Sequence, residues 1–257
     1  MNRFASFFIC GAIAISAAYA QPKPKSQKEV EAITAMFQAT TPDAVIAGAE
    51  NLLTTFADTE FKSIALFMES DSYARKGQFE KCIVFGEQAL AANPQNYQAM
   101  LLMARQYAGH TNENDLDKEE KLTKATKYAN DAIATLPNVP KPNPQLPDEK
   151  WEAAKKDNIA QAHEDLGIIA DVRKKYDVSA AEYKLAMDGA SVPDAGSMVR
   201  YAIAEEHLGK FDDAIAMLDK AIADPNAQPV VKQYAANEKT KATALKNAAA
   251  LKNAAKK

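Results

Sequence analysis

Cysteine is almost missing from this chain. It carries Cys10 and Cys82, three histidines, one tryptophan and nine glycines in 257 residues. Two cysteines so far apart are no metal-spaced pair, and with Cys10 inside the secretory signal, residues 1–20, only Cys82 would remain, so no internal disulfide is expected. The histidines, His110, His163 and His207, stand without a plausible nucleophile partner. His163-Glu164 begins like a zinc-protease helix, but the fourth residue after His163 is Gly167 where that site needs a second imidazole. No glycine-rich phosphate loop occurs. These absences leave no catalytic constellation, no cofactor site and no metal site, so an enzyme is not expected.

Long apolar runs are also lacking. The best stretch, Phe4 to Ala17, falls short of the ~20 residues that span a bilayer. It follows Arg3 and precedes Ala18-Tyr19-Ala20, the small-residue pattern a signal peptidase accepts. Residues 1–20 therefore read as a secretory signal, and the mature chain as an exported one, in a bacterial periplasm. Cys10 sits too early in this stretch, with Phe7-Phe8-Ile9 before it, for a lipidated cysteine. Without Arg3 the formal charge moves from −3 to −4, and the residues from Asn237 onward hold +5 of it, leaving −9 on the rest. An acidic body argues against a nucleic-acid groove.

What is present is alanine and helical periodicity. Residues 21–27 form a polar leader with two prolines. Val30, Ile33, Met36 and Phe37 then recur at helical spacing, and Thr41-Pro42-Asp43 starts a second helix with an apolar stripe from Val45 to Phe56. No segment sustains strand alternation. Residues 28–62 thus form a helix pair.

A repeat emerges when Ser72–Asn96 is laid on Ala204–Asn226: Gly77 meets Gly209, Phe79 meets Phe211, Cys82 meets Ala214, Ala89 meets Ala221, and each closes with Asn/Asp-Pro. A third copy, His163–Met187, has Tyr176 in the aromatic slot, Ser179 in the small slot, then Tyr183 and Ala186. Another begins at Tyr97 with Met100, Met103, Ala104 and Tyr107, followed by Ala125, Ala132 and Pro137. On these residues the chain resembles the tetratricopeptide repeat family. The resemblance implies an all-α, right-handed α-solenoid of helix pairs with a C-terminal capping helix. Two repeats fill 63–137, a proline-rich linker fills 138–147, and two more fill 148–226 behind an N-terminal helical extension. Residues 227–257 are the cap and a basic tail, and 28–62 is a degenerate repeat.

Some positions depart from the family pattern. Gly86 and Ala129 stand where it has large residues, and the Tyr97 repeat has an enlarged turn. That turn, Asn112–Glu120, is acidic but lacks the glycine and spacing of a calcium loop, so its acids are expected to cap the next helix and complement its dipole. Cys82 reads as a buried small residue at a helix crossing. Trp151 reads as an anchor for the proline-rich excursion. Val230, Val231 and Tyr234 are expected to cover the last repeat.

The resemblance also implies an inner face lined by the first helix of each pair. By register it offers Phe67, Asp71 and Arg75; Leu101 and Arg105; Glu164, Ile168 and Asp171; and Val199, Ile203 and His207. The mixture suits a peptide or helix of a protein partner. Lysine, arginine and asparagine clamp a terminal carboxylate in chaperone-binding relatives. Here Phe67, Asp71, Leu102 and Asp165 fill those slots, so that mode is not expected. The reading is a non-catalytic scaffold. The alternative is an envelope accessory whose basic tail touches a membrane or polymer surface.

Overall fold

The structure, a computed structural model, describes residues 22–254. The expected signal, 1–20, lies outside the described residues. Eleven α-helices and one 3₁₀ turn make up the described chain, with no strand among the described residues. They are α1 (Gln27–Gln38), α2 (Pro42–Thr55), α3 (Lys62–Arg75), α4 (Phe79–Ala92), α5 (Tyr97–Gly109) and α6 (Lys118–Thr135). After the 3₁₀ turn Leu136–Asn138 come α7 (Asp148–Val172), α8 (Tyr176–Gly189), α9 (Ala195–His207), α10 (Phe211–Ala223) and α11 (Pro229–Ala254). Successive helices pack in chain order as five pairs, and α11 lies on α10 and touches α9. A pair of this size cannot bury its apolar stripe alone, so each pair stacks on the next.

The turns explain the repeated glycine. In the α3–α4 turn Gly77 has φ +67°. Its N–H donates to the Ala74 carbonyl at 2.9 Å, and that of Gln78 to the Tyr73 carbonyl at 2.9 Å. The α9–α10 turn repeats this with Gly209 at φ +75° and bonds to Glu206 and Glu205. This closure needs one left-handed residue, a conformation glycine adopts without steric cost. The α7–α8 turn closes identically through Asp171 and Ala170, but the left-handed residue is Lys174 at φ +57°. The pair-ending prolines share a second device. Asn93 Oδ1 accepts from the Gln95 N–H at 3.0 Å, and Asp224 Oδ1 from the Asn226 N–H at 2.9 Å.

Helix crossings follow the small slots. Cys82, Ser179 and Ala214 are all inaccessible to solvent. Ser70 Oγ donates to the Cys82 carbonyl at 2.7 Å and lies 3.4 Å from its sulfur, and burial pushes the thiol pKa up. Gly86 departs from the family pattern because its neighbour fills the space: an added Cβ would lie 2.0 Å from Met103 Sδ of α5. Gly167 lies under the Tyr183 ring in the same way.

The excursion is anchored as its composition suggests. Trp151 is buried and its Nε1–H donates to the Val139 carbonyl at 3.2 Å. The acidic turn departs from expectation in part. Asp117 at the start of α6 makes no capping bond, because its carboxylate pairs with Lys121 at 3.0 Å and Asp115 accepts from the Asn112 N–H at 2.9 Å. Glu119 and Glu120 remain in the first turn of α6, where they complement the helix dipole.

The cap also needs a correction. Val230 and Tyr234 are 69% and 50% exposed and do not cover the last repeat. Val231, Ala235 and Ala242 do, against Ala214, Leu218 and Ala221 of α10. Small residues let the two helix backbones approach, which a tyrosine would prevent.

Candidate protein-binding face

The first helices of the four later pairs, α3, α5, α7 and α9, carry the expected face. The structure separates its residues into three groups. Leu101 and Val199 are buried, at 4% and 3% exposure. Leu101 packs with Ala132 and Ala162, and Val199 with the α9–α10 core, so neither offers a side chain to a partner. Asp171 is spent on the fold, because its carboxylate accepts from Ser179 Oγ and from the Tyr183 hydroxyl at 2.7 Å, clasping α7 to α8. Burial raises its pKa, and the two hydrogen bonds oppose that rise.

The remaining residues reach the surface. Phe67, Ile168 and Ile203 are partly buried against the core and present one edge outward. Arg75 and Asp71 form an exposed ion pair at 3.6 Å. His207 is exposed and stacks on Tyr176, with ring centroids 3.9 Å apart and planes at 7°.

The densest feature joins three helices. Arg105 of α5 and Arg200 of α9 flank Glu164 of α7. Arg105 Nη2 lies 3.5 Å from Glu164 Oε2, and Arg200 Nε lies 3.7 Å from Glu164 Oε1. Arg105 Nε also lies 3.4 Å from Oδ1 of Asp165, a carboxylate with no solvent exposure. Both guanidinium side chains are about half exposed. A cleft of about 450 Å³ opens beside the cluster between α7 and the α8–α9 connection, bordered by Arg105, Gln161, Glu164 and Ser197.

Arg200 and Asp165 are not among the residues the register places on this face. Arg200 follows Val199, and the register selects the valine although only its charged neighbour is exposed. Asp165 follows Glu164 and enters the sequence reading only as a mismatch to another recognition mode. A pair of adjacent acids on a helix turned toward an arginine is the signal the sequence offers.

Among the described residues no group of three or more His, Cys, Asp or Glu side chains is placed to hold a metal ion. Among the described residues no helix is long and apolar enough to cross a membrane. At the far end of the chain three lysines of α11 reach back to α9 and α10. Lys239 pairs with Asp219 at 2.6 Å, Lys241 with Glu206 at 3.2 Å, and Lys246 with Asp212.

No protein-family profile matches the chain, and no curated protein sequence does. Among solved structures it is similar to TTC0263, a thermophilic TPR protein in Thermus thermophilus. The two share 16% identity over 82% of this chain and 94% of that one, with a TM-score of 0.54. A tetratricopeptide repeat protein from Parabacteroides merdae aligns over 86% of this chain and 91% of its own at 16% identity, with a TM-score of 0.43. The first likeness establishes the fold, an all-helical solenoid of tetratricopeptide-type pairs, as the Gly77–Phe79 and Gly209–Phe211 correspondence implied.

Proposed function

We propose that this chain is a non-catalytic scaffold that binds a segment of another protein on the face made by α3, α5, α7 and α9, and that it works after export to the periplasm. One observation carries the reading: half-exposed Arg105 and Arg200, from the helix pairs before and after its own, converge on Glu164 beside an open cleft. Their ion pairs are longer than the ~2.7–2.9 Å of a closed charge-assisted bond, so several guanidinium N–H groups remain for a ligand. Partly exposed Phe67 and Ile203 add apolar contact toward the ends of the row. The export reading rests on residues 1–20 alone.

The tail's ion pairs support reading α11 as a cap rather than as a membrane-binding segment. Its exposed Leu245 and Leu251 are six positions apart, about 120° around a helix, and so form no single apolar stripe.

The test is co-isolation of a partner from the native envelope by the wild-type chain and by the double variant Arg105→Glu, Arg200→Glu. The same partner should be retained by wild type and lost by the variant, with both equally folded by circular dichroism. Equal recovery by the two chains would overturn the assignment of this face.

A further inference from the structure

We infer that Asp165 is a positioning residue for the two arginines: ionising it draws Arg105 away from Glu164, frees Glu164 for Arg200, and so changes the donors this face presents. The inference rests on the reading of the face as the binding surface.

The geometry is that of a shared and incompletely closed cluster. Arg105 divides its guanidinium between Glu164 at 3.5 Å and Asp165 at 3.4 Å, and Glu164 divides its carboxylate between Arg105 and Arg200. Two guanidiniums offer ten N–H groups where three carboxylate oxygens take part. The fourth oxygen, Asp165 Oδ2, is buried and meets no donor. A buried carboxylate with an orphan oxygen favours its neutral form.

The neighbouring groups define the balance. From α5 the facing charge is Arg105, from α9 Arg200, and on α7 itself Glu164, while Asp171 of α7 also faces Arg200. On α8, Tyr183 is held by Asp171 and Glu182 by His163 at 2.7 Å, so these groups are committed elsewhere. From α6 the core beside Ala162 and Leu166 contributes Ala129, Ala132 and the aromatic Tyr128. Desolvation raises the Asp165 pKa most, Arg105 opposes it by charge and hydrogen bond, and Glu164 raises it further. The result is a carboxyl group pushed up to about 7. Below that pH the carboxyl is neutral, the two arginines share Glu164, and the face is one charge more positive. Above it Arg105 has its own counter-ion, and Arg200 gains sole use of Glu164.

The experiment uses the full chain labelled with ¹³C,¹⁵N-arginine, without any partner, titrated from pH 5.5 to 8.5 by NMR. The Arg105 and Arg200 side-chain signals should move together with one midpoint near 7, and Asp165→Asn should flatten both curves. Arg105→Gln, at a half-exposed position, should raise the midpoint reported by Arg200 by removing the attraction that opposes it. Flat curves in wild type, an inflection that survives Asp165→Asn, or an unchanged midpoint in Arg105→Gln would each overturn the inference. If Asp165→Asn does not fold, wild type and Arg105→Gln decide alone. Because no ligand is added, a flat titration overturns the proton coupling and leaves partner co-isolation standing. A failed co-isolation with an intact titration overturns the binding face instead.

Discussion

Lys174 holds the left-handed position that Gly77 and Gly209 hold in the sister turns. A side chain there costs ~1–2 kcal/mol, and glycine gives back part of that gain through a more flexible unfolded chain. Lys174 also pairs with Glu113 at 2.6 Å, but both groups are more than half exposed and such pairs contribute little. Lys174→Gly should therefore raise stability by about 0.5–1 kcal/mol in urea melts, and a loss of stability would show that the pair outweighs the backbone strain. Glu69 poses a different conflict. It is 1% exposed, both its carboxylate oxygens lack partners, and burial with the nearby Glu50 charge pushes its pKa up to about 7. Between its unfolded value near 4.5 and about 7 the folded chain binds more protons than the unfolded chain. The Glu69 contribution is thus fully present at acid pH and is lost as pH rises through that window. Glu69→Gln should reduce the fall in Tm between pH 5 and pH 8, by scanning calorimetry, without abolishing it, since Asp165 titrates in the same sense. An unchanged fall would remove Glu69 from the account.

Helix crossings show how far single residues dictate packing. An added Cβ at Gly167 would lie 2.5–2.8 Å from carbons of the Tyr183 ring, which its hydroxyl bond to Asp171 holds in place. Overpacking of this kind costs ~1–3 kcal/mol and exceeds the ~1 kcal/mol of helix propensity alanine supplies. Gly167→Ala should be destabilising and Gly109→Ala, where nothing lies within 4 Å, neutral or stabilising. Equal effects in urea melts would contradict the crossing assignment. The elements were legible in the sequence where a short-range device fixes them. Thr41-Pro42 starts α2 with a bond from the Ala44 N–H to Thr41 Oγ1 at 3.3 Å, and Trp151 ties the excursion down. They were illegible where the outcome depends on which neighbour arrives. Val199 and Arg200 are adjacent, and only the packing of α9 on α10 decides which one faces outward. On α11 the expected Val231 does cover the last repeat, but close helix approach selects Ala235 and Ala242 in place of the expected Val230 and Tyr234.

Charge organises the molecule as a whole. The body before Asn237 is net acidic and the residues from Asn237 onward are net basic, and three lysines of α11 reach across to Asp212, Asp219 and Glu206. The apolar seam beneath them is built mostly of alanine, and Lys241 reaches the buried Glu206 carboxylate, so charge contributes to the cap's attachment. In 1 M salt the screening length falls to about 3 Å. Hydrogen exchange should then accelerate in α11 before it does in α3–α6, whose clusters contain Met103, Tyr107 and Leu122. Uniform acceleration along the chain would contradict a charge-held cap. The same stacking that leaves one edge for a cap sets out the first helices as the face proposed for a partner. Its occupancy is tested most directly by photo-crosslinking in the native envelope from Phe67, Arg105 and Ile203, with exposed Val84 and Leu185 of the second helices as controls. One common partner should be captured from the three first-helix positions and not from the controls; capture only from Val84 and Leu185 would contradict a binding face on the first helices.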